Sequence, residues 1–327
     1  MNSEMRVIVT GGSGFIGTNL LEALKSHASV LNLDTSPPRG GLNRDVWRDV
    51  SVLDAPALRA EFRGFRPTHV VHLGARTDLN GNSVREYETN TTGVRNVVEA
   101  VAEVGDVAMA LYASSRLVFA IGHSPSSTYD YLPSTYYGES KVAGELIVRE
   151  TAASASPWAL VRPTSIWGPW FGTPYRDFFD MIAAGRYVNF IGHEPRKSFG
   201  YVGNAVHQIQ ALLGKDPHQV NGRALWLSDY EPLVVSEWAA LICDRLNRRH
   251  PRRVPWALGR AAAFGGDVLS ALGVDGPPLT SFRLRNLVSP MVYDTSETEQ
   301  LVGPLPFSLS KGVDKTVDWY TREGVRA

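Results

Sequence analysis

The chain has 327 residues, and 33 lysines and arginines balance 33 aspartates and glutamates. It therefore lacks the net positive charge that would attract nucleic acid or an anionic membrane, and this balance leaves room for a local basic patch. The single cysteine, Cys243, excludes an internal disulfide framework and zinc-type cysteine clusters, and it favours a reducing cytoplasm. We expect no secretory signal, because the first residues are soon interrupted by glycines, and no run reaches the ~20 apolar residues of a membrane-spanning helix. We expect a cytoplasmic globular protein with a small-molecule substrate and neither a nucleic-acid nor a membrane partner.

Short β-branched runs alternate with helical patterns through the first half of the chain. The predicted strands are 6–10, 29–34, 68–75, 107–115 and 158–168. The predicted helices are 15–26, 54–62, 90–105 and 136–150. This alternation indicates an α/β fold, a Rossmann-like doubly wound parallel sheet with helices on both faces.

Beyond Gly168 the pattern becomes less regular, which favours a second, smaller lobe of mixed α/β structure. We assign residues 1–168 plus 198–228 to a cofactor-binding lobe, and 169–197 plus 229–327 to a substrate-binding lobe. The sequence leaves open whether the final helix returns to the first lobe. The longest apolar region, residues 254–274, is interrupted by Arg260 and Asp267 and is predicted to form one or two amphipathic helices.

A glycine-rich loop lies between the first predicted strand and the first predicted helix. Gly11, Gly14 and Gly17 permit a tight turn, let backbone N–H groups approach a pyrophosphate, and let the helix pack on the sheet. Asp34 ends the next strand, where a carboxylate accepts the ribose hydroxyls of NAD and repels the 2′-phosphate of NADP. NAD is therefore expected rather than NADP, although Arg39 and Arg44 follow closely and leave NADP open.

Two adjacent tyrosines precede a lysine in the stretch 134–141. Residues four apart lie on one face of a helix, so Lys141 pairs with Tyr137 and not with Tyr136. Ser115 ends the preceding strand, at the sheet edge where ligands bind. We expect the lysine ammonium and a nicotinamide ring to lower the pKa of Tyr137. Tyr137 then exchanges a proton with a substrate alcohol, and Ser115 holds the same oxygen.

Several motifs resemble one enzyme family over nearly the whole length of the chain. In chain order they are VTGGSGFIG, WRDV, VVHLGA, NTTGVRNVVEA, YASSRLVFA, YYGESK and VRPTSIWGP, followed by KSFGYVGNAV and SLSKGVDKTVDWY. Together they resemble the extended short-chain dehydrogenases/reductases, specifically the NAD-dependent epimerase/dehydratase family of nucleotide-sugar type.

The resemblance implies a catalytic set and a cofactor-binding set. The catalytic set is Ser115, Tyr137 and Lys141. The residues implied to bind NAD are Gly11, Gly14, Phe15, Ile16, Gly17, Asp34, Asp49, Val50, Leu73, Gly74, Ala75, Asn90, Ser114, Tyr137, Lys141 and Pro163. The resemblance also implies a homodimer built from the helices that start near Asn90 and Tyr136. The apolar positions 94, 97, 98, 101, 142, 146 and 147 fit that interface, and they equally fit packing on the sheet.

Departures from the family pattern concern the substrate. Arg116 and Leu117 stand where family dehydratases carry Asp and Glu, which argues against elimination of water. Ser165 replaces a frequent Asn, Lys197 stands where an Arg often grips the diphosphate, and Asn204 replaces an Asp.

Cationic and polar residues near strand ends and in the second lobe are candidates for substrate binding. They are Arg76, Thr77, Arg116, Ser165, Arg176 and Lys197. The alternative for the loop arginines is a solvated surface position. The aromatic residues of the stretch 167–175 either stack on a base or sugar or pack the lobe. His69 and His72 lack a Cys/His pattern, so no metal site is expected.

Three functions remain open from the sequence. The first is an NAD-dependent nucleotide-sugar epimerase or oxidoreductase, which moves a hydride between NAD and a sugar carbon. The second is an NAD(P)-dependent dehydrogenase or reductase of an apolar alcohol such as a hydroxysteroid, which the apolar region 254–274 suggests. The third is a non-catalytic NAD(H)-sensing protein, against which the intact Ser115, Tyr137 and Lys141 set argues.

Overall fold

The structure is a computed structural model that describes residues 5–123, 125–152, 156–274 and 279–324. The chain divides into two compact units. The first unit comprises Met1–Trp170, Gly200–Tyr230 and Asp294–Pro306. The second comprises Phe171–Phe199, Glu231–Tyr293 and Phe307–Ala327.

Strands and helices alternate through the first unit as the sequence pattern predicts, and the second unit also contains both. The strands are β1 (Arg6–Thr10), β2 (Ser29–Leu33), β3 (Trp47–Arg48), β4 (His69–His72), β5 (Met109–Ala113), β6 (Trp158–Pro163), β7 (Ser165–Trp167), β8 (Val188–Phe190), β9 (Arg196–Lys197), β10 (Phe199–Tyr201), β11 (Arg223–Leu227), β12 (Leu233–Val234) and β13 (Arg252–Val254). The helices are α1 (Phe15–Leu24), α2 (Ala55–Phe65), α3 (Thr92–Val104), α4 (Tyr136–Thr151), α5 (Tyr175–Ala183), α6 (Val202–Leu213), α7 (Pro217–Val220), α8 (Val235–Arg245), α9 (Trp256–Ala271), α10 (Ser281–Val288), α11 (Ser296–Val302) and α12 (Leu309–Gly324).

A seven-stranded sheet forms the centre of the first unit, with the strand order β11-β6-β5-β4-β1-β2-β3. Every neighbouring pair in it is parallel. The predicted Rossmann-like α/β fold is confirmed. The direction in which the chain builds the sheet reverses between β1 and β4, and ligands bind in such sheets at the carboxyl ends of the strands beside that point.

The interior of the first unit is apolar on both faces of the sheet. Ile8, Val70 and Leu160 pack with residues of α2, α3 and α4 in one cluster, and α1 packs against α6. Such strands read as continuous apolar runs because both of their faces are covered. Because β5, β4 and β1 are neighbours in the sheet and run parallel, their carboxyl ends lie side by side.

The segment that returns to the first unit is residues 294–306, whereas the sequence left open a return of the final helix. Residues 294–306 fall in the predicted substrate lobe, yet Asp294–Pro306 belongs to the first unit. There Thr298 Oγ1 donates to the backbone oxygen of Trp226 at 2.9 Å, and α11 packs against α6. The last helix, α12, lies in the second unit and packs on α8, because its buried residues Val313 and Val317 need an apolar partner.

Aromatic side chains build the interior of the second unit. The ring of Trp238 stacks on Phe178 with a centroid distance of 4.7 Å, and Phe179 and Phe199 meet it edge-on at 5.7 and 5.6 Å. Phe171 in turn packs against Phe179 at 5.1 Å. Among the aromatic residues that could stack on a base or pack the lobe, Phe171 is thus a packing residue.

No helix in the described ranges combines the length and the apolar character that crossing a membrane requires.

Candidate active site

The loop after β1 is built around close approaches that glycine alone allows. Gly11 has a φ of +72°, and a Cβ atom on it would lie 2.5 Å from the backbone nitrogen of Gly74. A Cβ atom on Gly17 would lie 2.5 Å from the backbone oxygen of Gly11. Gly14 caps α1 without a side-chain hydrogen bond, and the first turn of that helix carries no acidic residue. The N-terminus of α1 therefore presents its backbone N–H groups and the positive end of its dipole to an anion.

Asp34 lies directly beyond β2 and is tied to this loop. Its Oδ2 accepts from the backbone nitrogen of Ser13 at 3.0 Å, and its Oδ1 accepts from that of Ser36 at 2.9 Å. Burial raises the pKa of the Asp34 carboxyl, while the two backbone hydrogen bonds and the charge of Arg39 act in the opposite direction. The side chain of Arg39 donates to the backbone oxygen of Ser13 at 3.1 Å. A carboxylate and a guanidinium therefore flank the same loop.

The chain that leaves β4 packs on the glycine loop. Leu73 donates its backbone N–H to Thr10 at 2.9 Å, and Gly74 meets Gly11. Leu73, Gly74 and Ala75 are all half-buried. They follow the carboxyl end of β4, beside β1.

Asn90 fixes the next stretch of backbone. The side chain is fully buried, and it exchanges two hydrogen bonds with the backbone of Arg76, at 2.9 and 3.0 Å. Asn90 Nδ2 also donates to Ser140 Oγ at 2.9 Å. Its polar atoms are committed to protein partners, so it positions the chain after β4 and the start of α4.

Tyr137 and Tyr136 occupy opposite environments at the start of α4. Tyr137 is 7% exposed, whereas Tyr136 is 46% exposed. The Ser115 side chain acts to lower the pKa of the Tyr137 hydroxyl. Ser115 Oγ also accepts from the backbone nitrogen of Leu117 at 3.1 Å, which holds the serine at the beginning of a short 3-10 turn.

The pKa of Tyr137 differs from the sequence expectation. Burial raises it to about 12, and the hydrogen bond to Ser115 and the charge of Arg116 only partly counteract that effect. Burying a phenolate costs more free energy here than Ser115 and the charge of Arg116 recover. In the protein alone Tyr137 is therefore a protonated phenol at neutral pH.

Lys141 lies one helical turn beyond Tyr137 and is buried. Its Nζ donates to the backbone oxygen of Ala113 at 3.0 Å and lies 6.0 Å from the centroid of the Tyr137 ring. Burial lowers the pKa of Lys141 to about 8, and the charge of Glu145 acts in the opposite direction. The end of β5 thus holds both Ser115 and Lys141 against Tyr137.

Glycines let α4 approach its neighbours closely enough to form this arrangement. A Cβ atom on Gly138 would collide with the backbone oxygen of Leu117, in the 3-10 turn that follows Ser115. A Cβ atom on Gly144 would lie 2.8 Å from the backbone oxygen of Asn90. The N-terminus of α4 is capped by Thr135, which accepts from Gly138.

A buried ion pair behind the site escapes the sequence analysis. Arg162 of β6 donates to both oxygens of Glu145 of α4, at 2.8 and 2.6 Å, and each residue is 1% exposed. The same carboxylate accepts from Ser114 Oγ at 2.5 Å and from Tyr131 Oη at 2.7 Å. Ser114, implied to bind the cofactor, therefore has its hydroxyl committed to Glu145.

The remaining cofactor-side residues lie around the same sheet edge. Phe15 and Ile16 begin α1, Val50 is buried behind β3, and Pro163 ends β6 opposite Leu227. Asp49 is exposed, and its charge helps to raise the pKa of Asp34. These positions surround the switch point between β1 and β4.

The substrate-side candidates of the first unit differ in their partners. Arg76 forms ion pairs with Asp78 and Glu86, at 2.8 and 3.5 Å. Thr77 is exposed, and Ser165 is buried in β7.

Arg116 is the candidate that is electrostatically coupled to the Tyr137 hydroxyl. It is half-buried and lies in the 3-10 turn that Ser115 begins. Within the described ranges its side chain has no ion pair or hydrogen bond. Its charge acts to lower the pKa of Tyr137.

Arg176 and Lys197 both belong to the second unit. Lys197 is buried, and its Nζ donates to the backbone oxygen of Asn286 at 2.5 Å. The guanidinium of Arg176 lies over the ring of Trp319 at 6.0 Å. The structure therefore gives both cations an internal contact in that unit.

Among the residues that the structure describes, no group of three or more His, Cys, Asp or Glu side chains is arranged to hold a metal ion. His72 instead shares a 2.6 Å hydrogen bond with Thr10 Oγ1, and burial lowers its pKa to about 3.

Asn204, which replaces a family aspartate, has a carboxylate partner that the sequence did not reveal. Its Nδ2 donates to Asp229 Oδ1 at 2.8 Å, and the backbone nitrogen of Tyr201 also donates to that carboxyl. Burial raises the pKa of Asp229 to about 7.

The sequence is similar to that of one protein family and of several known enzymes. Residues 7–224 match the sequence model of the NAD dependent epimerase/dehydratase family. The chain is 26% identical to an N-acetyl-alpha-D-glucosaminyl-diphospho-ditrans,octacis-undecaprenol 4-epimerase of Escherichia coli O157:H7, over 96% of this chain and 94% of that protein. It is 25% identical to a 3beta-hydroxysteroid-dehydrogenase/decarboxylase of Arabidopsis thaliana, over 98% and 80% of the two chains.

The fold is also found in solved structures. The structure of a UDP-glucose 4-epimerase of Thermotoga maritima with UDP-glucose superposes with a TM-score of 0.76 at 19% identity, covering 98% of this chain and 99% of that one. Since the family match extends over most of the chain and includes the glycine loop, β5 and α4, the protein belongs to the NAD dependent epimerase/dehydratase family.

Proposed function

We propose that the protein is an NAD-dependent epimerase of a sugar carried by a nucleoside diphosphate. The observation that carries this proposal is the convergence of Ser115, Tyr137 and Lys141 at the carboxyl end of β5, beside the glycine loop of β1. The epimerase relatives support this choice, because two of those described above act on a sugar joined to a diphosphate.

NAD fits the residues of the first unit. The tight loop that Gly11 and Gly17 permit and the uncapped start of α1 suit a pyrophosphate, and Asp34 suits the hydroxyls of a ribose. Asp34 keeps acceptor capacity because each of its oxygens takes one backbone hydrogen bond and has a second lone pair. Arg39 stands close enough to lower the charge repulsion of a 2′-phosphate, but Asp34 itself favours NAD.

The proposed chemistry assigns a role to each group of the protein. Bound NAD supplies the acceptor and donor of the hydride at the sugar carbon. Tyr137 would first lose its own proton to solvent, favoured by the positive charges of Arg116, Lys141 and the nicotinamide ring. The phenolate would then take the proton of the sugar hydroxyl as the carbonyl forms, and return it when the carbonyl is reduced from the opposite face. Ser115 holds the reacting oxygen by a hydrogen bond. Lys141 stabilises the negative charge on the Tyr137 oxygen while the tyrosine is ionised.

Arg116 is proposed to assist the same proton transfer. Tyr137 must ionise transiently although burial raises its pKa to about 12. A half-buried guanidinium nearby lowers the cost of that ionisation, and it replaces the acidic residue that a dehydratase would use there. We further propose that Arg116 acts with Arg76 and Thr77 on the substrate side, and that Ser165, Arg176 and Lys197 contribute to substrate binding.

The reaction is tested by incubating the purified protein with UDP-glucose, with UDP-N-acetylglucosamine and with a sugar diphosphate carried by a polyprenol. We expect an epimeric product by NMR and no net accumulation of NADH at 340 nm, because the hydride taken up is returned. A hydroxysteroid is the comparison substrate, since hydroxysteroid dehydrogenases are among the relatives. Steady formation of NADH with the steroid, and no epimer from any diphosphate-linked sugar, would reject the epimerase proposal.

We also propose a cytoplasmic homodimer. The cytoplasm is supported by the single cysteine, and the dimer by the implied pairing of α3 and α4. Of the apolar positions that fit such an interface, 94, 97, 98 and 101 are buried within the unit, and Leu146 is 39% exposed. Sedimentation velocity should give twice the chain mass of 35.9 kDa, and Leu146→Glu should reduce it to one chain mass. A wild-type protein that sediments as a single chain at micromolar concentration would exclude the dimer.

A further inference from the structure

The exposed residues of α9 are apolar except Arg260 and Ser270. The helix packs on its own unit with three small residues spaced along one side, Gly259, Ala263 and Gly266. A Cβ atom on Gly266 would collide with the backbone oxygen of Leu279, and Phe190 fills the space at Gly259. The large apolar side chains therefore lie on the other side. Phe264 is 70% exposed, Leu258 60% and Leu272, directly after the helix, 75%, and Val268 and Leu269 are each 44% exposed.

This arrangement inverts the usual pattern of a surface helix, which buries its apolar face and exposes its polar one. The two charged residues of α9 are Arg260 and Asp267. Asp267 accepts from the backbone nitrogen of Ser281 at 3.0 Å, next to the start of α10. The amphipathic helix predicted from the sequence is therefore correct as a helix, but its apolar side faces outward.

An arginine-rich stretch leads directly into this helix. Residues 245–266 contain six arginines and no aspartate or glutamate. Arg245 pairs with Asp314, and Arg253 pairs with Glu194. The other members of the stretch before the helix, at 248, 249 and 252, are exposed and have no carboxylate partner in the described ranges.

We propose that α9 and the arginines before it dock the second unit on an anionic lipid surface. A helix with a continuous apolar side and flanking arginines lies in the plane of the lipid interface, with its apolar side among the acyl chains and its cations at the phosphates. The balanced net charge of the whole chain conceals this local basic patch, so the absence of a membrane partner inferred from that charge does not extend to the second unit.

A lipid surface explains the charge better than a second copy of the chain does. In a two-fold interface the patch meets only its own copy, and residues 245–266 offer no aspartate or glutamate to neutralise the arginines. Anionic headgroups neutralise the same stretch. The proposal needs no reaction, so it stands or falls independently of the epimerase assignment.

The experiment is flotation of the full-length protein with vesicles of phosphatidylcholine containing about one-third phosphatidylglycerol. We expect the wild type to float with these vesicles, at least about tenfold less with pure phosphatidylcholine, and less when the salt concentration is raised. The double variant Phe264→Glu/Leu272→Glu should lose at least about tenfold of the binding. Both side chains are mostly exposed, so its melting temperature should remain that of the wild type.

Leu132→Glu is the matched control, because Leu132 is an equally apolar residue, 52% exposed, in the first unit. It should float like the wild type. Failure of the wild type to bind the anionic vesicles overturns the proposal, and so does binding that Phe264→Glu/Leu272→Glu leaves unchanged. An oligomer that this double variant dissociates, without vesicle binding by the wild type, would identify the face as a contact between copies instead.

Discussion

Replacement of Tyr137 by phenylalanine should reduce kcat for epimerisation by about 10²–10⁴-fold, the contribution expected of a positioned acid/base group. The variant removes the hydroxyl near Ser115 and nothing else. The ring remains, and with it the contact to the Tyr87 ring, whose centroid lies 6.0 Å away, and to the Lys141 ammonium. KM should change little, because the lost interaction acts on the proton in transit. The measurement is the initial rate of epimer formation at saturating substrate.

Tyr136→Phe provides the control for this experiment. The two tyrosines are adjacent, carry the same hydroxyl and start the same helix, but Tyr136 points into solvent. The Tyr136 variant should keep kcat within about twofold of the wild type. The assignment of the acid/base group would be wrong if Tyr137→Phe retained more than about one-tenth of the wild-type rate. It would also be wrong if Tyr136→Phe lost more of that rate than Tyr137→Phe.

The position of the tyrosine could be predicted because it depends on helix geometry alone. Spacing by four residues places Tyr137 and Lys141 on one face whatever else the chain does. The glycine loop was equally accessible, since strand, loop and helix follow one another within residues 6–24. In both cases residues close in sequence determine the outcome.

The electrostatics of the site could not be predicted in the same way. Local sequence shows that a lysine is near Tyr137, but it does not show how deeply either group is buried. In the structure burial raises the pKa of Tyr137 to about 12 although Ser115 and Arg116 act to lower it, and burial lowers the pKa of Lys141 to about 8 although the charge of Glu145 acts to raise it. The sign of such a shift results from competition between desolvation and charge, and both need the packed structure.

The orientation of α9 depends on the same missing information. Its large apolar residues share one side of the helix, and the pattern alone predicts that this side is the buried one. The structure shows that the glycines and Ala263 meet the rest of the second unit, because neighbours such as Leu279 come too close for larger side chains. Hydropathy by itself would have placed Phe264 inside.

The Glu145–Arg162 pair is the second place where a large effect is expected. A charged residue within the apolar runs of α4 and β6 signals that something must compensate it, but the two residues belong to different elements and only the fold brings them together. Arg162 also lies among aromatic rings, including Phe119 at 5.2 Å and Trp226 at 5.7 Å. Its guanidinium is therefore shielded from water on all the sides that the carboxylate leaves.

Arg162→Met should lower the free energy of unfolding by about 3–5 kcal/mol, because it leaves the Glu145 carboxylate buried without its cation. The measurement is denaturant unfolding at neutral pH. Arg59→Met is the control, since the partners of Arg59, Glu99 and Glu103, are more than one-third exposed, and it should cost less than about 1 kcal/mol.

A double variant separates the loss of the pair from the loss of packing. Glu145→Leu/Arg162→Met removes both charges, so it should recover a substantial part of the stability that Arg162→Met loses. It also removes the charge that counteracts the lowering of the Lys141 pKa. Lys141 should then be less protonated at neutral pH, and epimerisation should be slower than in the wild type although much of the stability is recovered. If the double variant were as unstable as Arg162→Met, packing of the arginine among the aromatic rings, rather than charge compensation, would account for the effect.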